Sequence, residues 1–284
     1  MAQARGAAGL SEEVVPGDAG TEELVEAVDR HQSETAIRWT EIQGGVVVDT
    51  PGYVRTINPG VRVPFANGVH RMRLRTDDVA DAIRENTEAF REHDVPALWW
   101  LSPLTTPNDV DRELAANGWR FDDSMPWMAA TIDRVRWPQT PPGLQIVRVN
   151  GEALHAAWLA GMAAGFGMRG AEEHAMTALA AAVGYGEDAE WVRWAGFLDG
   201  RAVASSGLML GGGVAGIYNV ATAPEVRRRG IGAAMTAAAI AEGRAREYQV
   251  AVLGASSLGM GVYRRMGFTE VSRNRVHVLP ERRP

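Results

Sequence analysis

One stretch confines this chain to a small set of folds: Asn219-Val220-Ala221-Thr222-Ala223-Pro224-Glu225-Val226-Arg227-Arg228-Arg229-Gly230-Ile231-Gly232-Ala233-Ala234. It reads as a strand, a turn crowded with arginine and glycine, and the start of a long alanine-rich helix. The first N–H groups of a helix have no intrahelical partner, and the helix dipole is positive there, so such a start is an anion site. Gly230 and Gly232 leave the backbone bare enough for a bulky group to approach. Arg227, Arg228 and Arg229 add positive charge. The ligand this arrangement suits is a pyrophosphate.

The turn lacks the Gly-Lys-Ser/Thr ending of a P-loop. Met235 stands where a dinucleotide-binding turn would carry its third glycine or alanine. Instead, Arg227-x-x-Gly230-x-Gly232 resembles the pyrophosphate-binding signature of the GNAT superfamily of acyl-CoA N-acyltransferases. Downstream, Tyr263-Arg264-Arg265-Met266-Gly267-Phe268 is similar to that family's closing Tyr-x-x-x-Gly-Phe element. About thirty residues separate the two motifs, room for one helix, one strand and one turn.

The second half supports the resemblance element by element. Three prolines and a glycine in 136–143 cannot continue a helix or central strand, so a linker is placed there. Beyond it the patterning predicts strands over 144–149, 191–198, 202–210, 214–222, 250–255 and 268–279. Helices are predicted over 152–165, 171–183, 231–246 and 257–266. Asp199-Gly200 is a two-residue hairpin signal. The result is an α/β (α+β) mixed sheet flanked by helices, in the order of the GNAT fold.

The first half repeats this pattern more faintly: a helix over 77–93, an apolar strand over 96–101, a helix over 110–117, Gly118-Trp119 where Gly267-Phe268 stands later, and a closing strand over 127–132. An internal duplication into two tandem GNAT-like lobes follows. The expected division is a disordered N-terminus (1–20), a degenerate lobe (21–135), the linker (136–143) and a catalytic lobe (144–284). The first lobe is expected not to bind the nucleotide. Arg75-Thr76-Asp77-Asp78 replaces the arginine-glycine turn, its aspartates would occupy the helix N–H groups, and Leu114 stands in place of the tyrosine.

Composition narrows the function. The chain has 284 residues, 46% hydrophobic, which suits a core large enough for two domains. The charge of −6 disfavours nonspecific nucleic-acid binding. No window approaches the roughly 20 apolar residues of a membrane span, and no secretory signal is visible. With no cysteine, disulfides, thiolate metal sites and an acyl-cysteine are excluded. All 29 basic residues are arginine, which removes Schiff-base and autoacylated lysine chemistry. The histidines show no metal-ligand spacing, so no metal is expected. A cytoplasmic protein fits these features; a homodimer is compatible with them but not required.

What the resemblance implies is acetyl-CoA as co-substrate and an amine acceptor, on a small molecule or a peptide. The amides from Arg228 through Gly230 and Ile231 to Ala233 would cradle the pyrophosphate. Val220, Ala221 and Thr222 would offer backbone to the pantetheine arm, with an amide near Val220 polarising the thioester carbonyl. Ser256 would contact the coenzyme arm where relatives carry asparagine. Tyr263 would protonate the departing thiolate: a phenol titrates near 10 and an alkyl thiol near 8.5, close enough for that transfer to be reasonable. The base for the amine stays unassigned, because the strand holds Gly216, Tyr218 and Asn219 and no carboxylate; Glu172, Glu173, His174 and His277 are more distant candidates. Two other readings remain open: an acyl-CoA sensor or scaffold without catalysis, and an aminoacyl or peptidoglycan-type transferase on tandem lobes.

Overall fold

A computed structural model describes residues 13–185, 189 and 191–281. Its elements are α1 (Thr21–Ile42), β1 (Val46–Asp49), β2 (Val54–Ile57), β3 (Gly68–His70), α2 (Val79–Glu92), β4 (Ala97–Leu101), α3 (Asp111–Ala116) and β5 (Arg120–Thr131). They continue with β6 (Gln145–Arg148), α4 (Glu152–Phe166), α5 (Ala171–Ala182), β7 (Trp191–Leu198), β8 (Arg201–Gly211), β9 (Val214–Thr222), α6 (Ile231–Ala245), β10 (Val250–Gly254), α7 (Met260–Met266) and β11 (Thr269–Leu279). The eleven strands form one sheet in the order β1-β2-β3-β4-β11-β5-β10-β9-β8-β7-β6.

Local chemistry sets the hairpins. Asp199 and Gly200 both have positive φ (51° and 74°), as does the pair Gly212 and Gly213 (59° and 77°). Two consecutive positive φ values match the right-handed strand twist, so β7, β8 and β9 fold back on one another. From β9 the chain crosses through α6 and returns as β10, parallel to β9. The first half does the same with β3, α2 and β4. The order β3-α2-β4-α3-β5 is thus repeated by β9-α6-β10-α7-β11.

The halves exchange their last strands. β5 pairs antiparallel with β10, from Val250↔Thr131 to Gly254↔Trp127. β11 pairs antiparallel with β4, from Arg275↔Leu101 to Leu279↔Ala97. β5 and β11 then pair with each other along nearly their whole length, through two irregularities in register. The side chains follow: Leu279 sits in the first-half core with Ile83, Phe90, Trp99 and Trp119, while Met128, Ala130 and Ile132 sit in the second-half core with Leu208, Met235 and Ile240. The segment 136–143 carries no helix or strand.

Two features depart from the sequence reading. The N-terminal 1–20 was expected to be disordered; residues 1–12 lie outside the described residues, but 13–20 are anchored. Val15 is buried and its N–H bonds to the Gly213 carbonyl, while Gly17 bonds Gln249 Oε1 and accepts from Thr131 Oγ1. The 22-residue α1 was not foreseen, because its buried face carries Asp29, His31, Ser33, Thr35 and Thr40 rather than an apolar stripe. It lies across both halves, touching β1, β2, β8, β9 and β11. His31 and Tyr218 fasten it. The His31 Nδ1 lies 2.9 Å from the Gly211 carbonyl, which can only accept, so Nδ1 carries the hydrogen and Nε2 accepts from the Tyr218 hydroxyl at 2.9 Å. A Cβ on Gly216 would fall 2.0 Å from that Nε2, so only glycine fits beneath the bridge.

Buried Arg193 holds α5 to the sheet. It donates to the carbonyls of Ala180 (2.6 Å) and Gly184, at the negative end of α5, and its guanidinium lies 5.1 to 5.6 Å from the ring centres of Trp191, Tyr185 and Trp158.

Two expectations follow. A fragment of residues 144–281 lacks β5 and exposes the edges of β10 and β11, so it should be insoluble or unfolded, and the full chain should unfold in one transition by both circular dichroism and tryptophan fluorescence. Burial holds His31 and His70 near pKa 4, below the usual 6.5. The unfolded chain takes up these protons below about pH 6.5 and the native state only near 4, so stability is full above that window and falls as pH drops through it. At pH 5 the loss should be roughly 2 kcal/mol per histidine, read as a lower urea midpoint than at pH 7.5.

Candidate active site

The turn after β9 begins with a short 3-10 segment, Pro224–Val226, and enters α6 through Gly230 at φ 82°. No side chain caps α6. Among the described residues, the backbone N–H groups from Arg228 to Ala233 have no hydrogen-bond acceptor; the first helical bond at this end is Ala234 N–H to the Gly230 carbonyl. Gly232 has ordinary helical φ, and a Cβ there would meet nothing nearer than Thr222 Oγ1 at 3.6 Å. The fold itself therefore does not require glycine at 232. The three arginines divide. Arg227 is committed to the protein, donating to the carbonyls of Thr222 (3.0 Å) and Gly165 (2.7 Å), which ties the end of α4 to the end of β9. Arg228, itself at φ 61°, and Arg229 are exposed and have no ion-pair partner among the described residues.

Beside the turn, β9 and β10 diverge. Their parallel pairing covers Ala215↔Ala251 and Gly216↔Val252. From Ile217 to Thr222 the edge of β9 facing β10 is unpaired. On its other side β9 still pairs with β8, but with a bulge: Tyr218 faces Gly207 and Ala221 faces Ser205, leaving Asn219 and Val220 opposite Ser206. Asn219 takes φ 52°, and its carbonyl accepts from Ser205 Oγ at 2.7 Å. A bulge turns the strand and frees backbone groups from the ladder, here at Val220.

The fork opens into a cleft of about 580 Å³ lined by Val220, Ser256 and Tyr263 from the second half and by α1 and the first half opposite. Tyr263 is buried, which pushes its pKa up to about 12, and its hydroxyl has no hydrogen-bond partner among the described residues. Ser256 Oγ accepts from Gly259 N–H at 3.2 Å, shaping the turn into α7 and leaving its own hydrogen available. Ala221 and Thr222 continue the open edge beneath α4, where a Cβ on Gly165 would fall 2.6 Å from that of Ala221.

Of the distant candidates for a base, Glu172 lines the cleft and the others do not. His174 bonds the Gly170 carbonyl on the surface, and His277 pairs with Asp111 at 3.1 Å on β11. Sequence reasoning missed Trp39, Phe65 and His70 as cleft residues. They come from α1, the 3-10 segment Pro64–Ala66 and the end of β3, all far from β9 in the chain. Trp99, Trp191 and Trp194 are core, and Trp100 lines the cleft.

The equivalent fork in the first half is filled by the chain itself. β3 and β4 pair at Gly68↔Leu98 and Val69↔Trp99 and then separate. Into the gap comes the loop after β4: Leu74 N–H bonds the Thr106 carbonyl (2.8 Å), and Thr106 N–H bonds the Met72 carbonyl (3.2 Å). The aspartates at the start of α2 make no side-chain cap, so it is this inserted backbone, not capping, that closes the first-half slot. A broader hollow of about 760 Å³ on the first half is lined by Glu26, Asp29, Arg71 and Arg73, but both of these arginines are paired: Arg73 with Asp29 at 2.8 Å, and Arg71 with Asp49.

Among the described residues no helix is long and apolar enough to cross a membrane, and no cluster could hold a metal. The family description "Acetyltransferase (GNAT) domain" matches residues 213–271. No curated protein sequence matches the chain. Among solved structures, a GCN5-related N-acetyltransferase from Kribbella flavida is 20% identical and superposes with a TM-score of 0.67, covering 88% of this chain and 96% of its own. One from Sphaerobacter thermophilus is 18% identical, covers 96% and 95%, and has a TM-score of 0.60. A tandem GNAT protein from the clavulanic acid biosynthesis pathway is 13% identical, covers 96% and 98%, and has a TM-score of 0.59.

Gly232 separates structural from ligand-binding demands. Gly232→Asp places a carboxylate at the second helical position, which favours the helix, and removes a bare approach to the free N–H groups. The variant should melt at the same or a higher temperature and bind coenzyme A at least about tenfold more weakly by calorimetry.

Proposed function

We propose that this chain, which matches a GNAT acetyltransferase domain over 213–271 and is similar in fold to a tandem GNAT protein, transfers an acetyl group from acetyl-CoA directly to a primary amine. One observation carries the proposal: the open edge of β9 borders one cleft with the buried Tyr263, and the strand runs on through the turn to the uncapped N–H groups of 228–233.

In this reading the pyrophosphate rests on the amides of Arg228 to Ala233, with Arg228 and Arg229 adding charge. The pantetheine arm lies along Val220, Ala221 and Thr222, past Ser256. The freed amide at the Val220 bulge points the thioester carbonyl and stabilises charge developing on its oxygen. The amine nitrogen attacks the thioester carbon, a C–N bond forms, the C–S bond breaks, and the thiolate leaves with a proton from Tyr263. The amine's own proton passes to solvent or to Glu172 at the cleft wall, and Tyr263 is reprotonated from the same pool. Because the cleft holds both reactants, the gain is proximity, and no acyl-enzyme is required.

Burial alters the proton step. With Tyr263 near 12, a solvent-exposed thiolate would draw no proton from it: a gap of about 3.5 units is ~5 kcal/mol. A thiolate released inside the same desolvated cleft has its own pKa raised by the same cause, which narrows the gap.

Tyr263→Phe should lower kcat roughly 100-fold or more while leaving acetyl-CoA affinity within about twofold. In the unaltered protein kcat/KM should rise as the amine deprotonates and show no descending limb up to about pH 10, since the phenol stays protonated throughout. Coenzyme A uptake with no turnover of any amine would favour the sensor reading, which draws support from the absence of a carboxylate on β9.

A further inference from the structure

The proposed function leaves the acceptor undefined, and the cleft's walls define its chemistry. Away from Tyr263 the lining is built from both halves. α1 supplies Trp39, the first half Phe65 and Trp100, and the α4–α5 region Phe166 and Met176. These surfaces are held in place before any ligand arrives. Trp39 packs on Trp191 (5.4 Å between ring centres) and on Tyr218 (5.9 Å), and Trp100 stacks on His70 at 6.2 Å and 13°. Fixed aromatic walls offer large contact area at little entropic cost on binding.

Charge is the second constraint. The chain contains 29 arginines, yet among the described residues none lines this cleft. His70, which does, is held near pKa 4 by burial and is neutral at physiological pH. Among the described lining residues Glu172 is the one carboxylate. A carboxylate or phosphate on the acceptor would enter with no cation to meet it, which is costly in an apolar site. A polyamine would bring several charges to a single carboxylate. One ammonium, attracted by Glu172 and by the aromatic faces, is matched.

The rim is the third. Phe65 is 38% and Phe166 54% exposed, among the few large apolar side chains the described protein leaves in solvent, and both border this cleft. With part of the 580 Å³ allotted to the pantetheine arm, the remainder suits a small molecule rather than a folded protein surface.

We propose that the acceptor is a small, monocationic primary amine with an aromatic or bulky apolar body and no anionic group, its body held by Trp39, Trp100, Phe65 and Phe166 and its ammonium directed by Glu172. This rests on reading the cleft as the acetyl-transfer site. The transfer is the step already written: the acetyl C–S bond breaks, the C–N bond forms, and the products are the N-acetyl amide and coenzyme A.

Three probes share features selectively: 2-phenylethylamine has the body and one charge, phenylalanine adds only a carboxylate, and spermidine has charge without the body. Binding to the full chain is measured by calorimetry and tryptophan quenching, with and without coenzyme A, and acetylation by release of free coenzyme A. The expected result is 2-phenylethylamine bound at least tenfold more tightly than either of the others. Glu172→Gln, on an exposed helix face and so without effect on folding, should weaken it several-fold. Trp100→Leu should weaken it further, with circular dichroism checking the fold. Equal or tighter binding of phenylalanine or spermidine, or no binding of 2-phenylethylamine at millimolar concentration, overturns the proposal. The amine measurements decide this alone. Failure of coenzyme A itself to bind would instead remove the acetyltransferase reading.

Discussion

The pairing of β5 with β11 at the middle of the sheet is the constraint on which the rest of the molecule depends. Each strand ends one half of the chain and completes the sheet of the other. Without β5 and β11, β4 and β10 would each present an open edge, the first-half core would lose Leu279 and the second-half core would lose Met128, Ala130 and Ile132. Burying one such side chain is worth about 1.5–3 kcal/mol, so these contacts alone rival the net stability of a domain. The two halves are therefore one folding unit, and their relative position is fixed by a hydrogen-bonded ladder rather than by a flexible linker.

The cleft is a consequence of that rigidity. Its floor is the fork between β9 and β10, but its opposite wall is α1, β2 and the loops of the first half. α1 reaches it through a polar bridge, with His31 accepting from Tyr218 beneath a glycine that permits no Cβ. The neutral state of His31 is what allows its Nε2 to accept, and the burial that lowers its pKa maintains that state. The first half thus contributes to the site of the second. Its own fork is closed by Thr106 and its neighbours, and its surface has become part of the second fork's pocket.

The same comparison explains how a duplication yields two different sites. Both forks arise because a parallel pair of strands diverges after two residue pairs. In the second half a short connection leads from β10 to α7, and the fork stays open. In the first half the longer connection from β4 to α3 folds back into it, and its backbone satisfies the N–H and C=O groups that a ligand would otherwise meet.

Much was legible in the residues by themselves. The arginine-glycine turn, the hairpin at Asp199-Gly200, the helix of 231–245 and the Tyr263-to-Phe268 element depend on local chemistry, namely positive φ, unpaired helix N–H groups and apolar period, so they could be read without a partner segment. The repeated order of elements was legible for the same reason. What the sequence alone could not decide is what lies next to what. Arg227 reads as an anion ligand but spends its hydrogen bonds on Thr222 and Gly165. α1 was hidden because its buried face is polar and is satisfied only by residues from the far end of the chain. The exchange of β5 and β11 cannot be read from either strand, since the strands that flank each one come from the other half of the chain. Trp39 reaches the cleft through the packing of α1 on β8 and β9, and Phe65, His70 and Trp100 through the placement of the first half beside the fork. Local backbone chemistry wrote the arginine-glycine turn, and long-range strand pairing, which no short window of sequence encodes, made the cleft at the fork beside it.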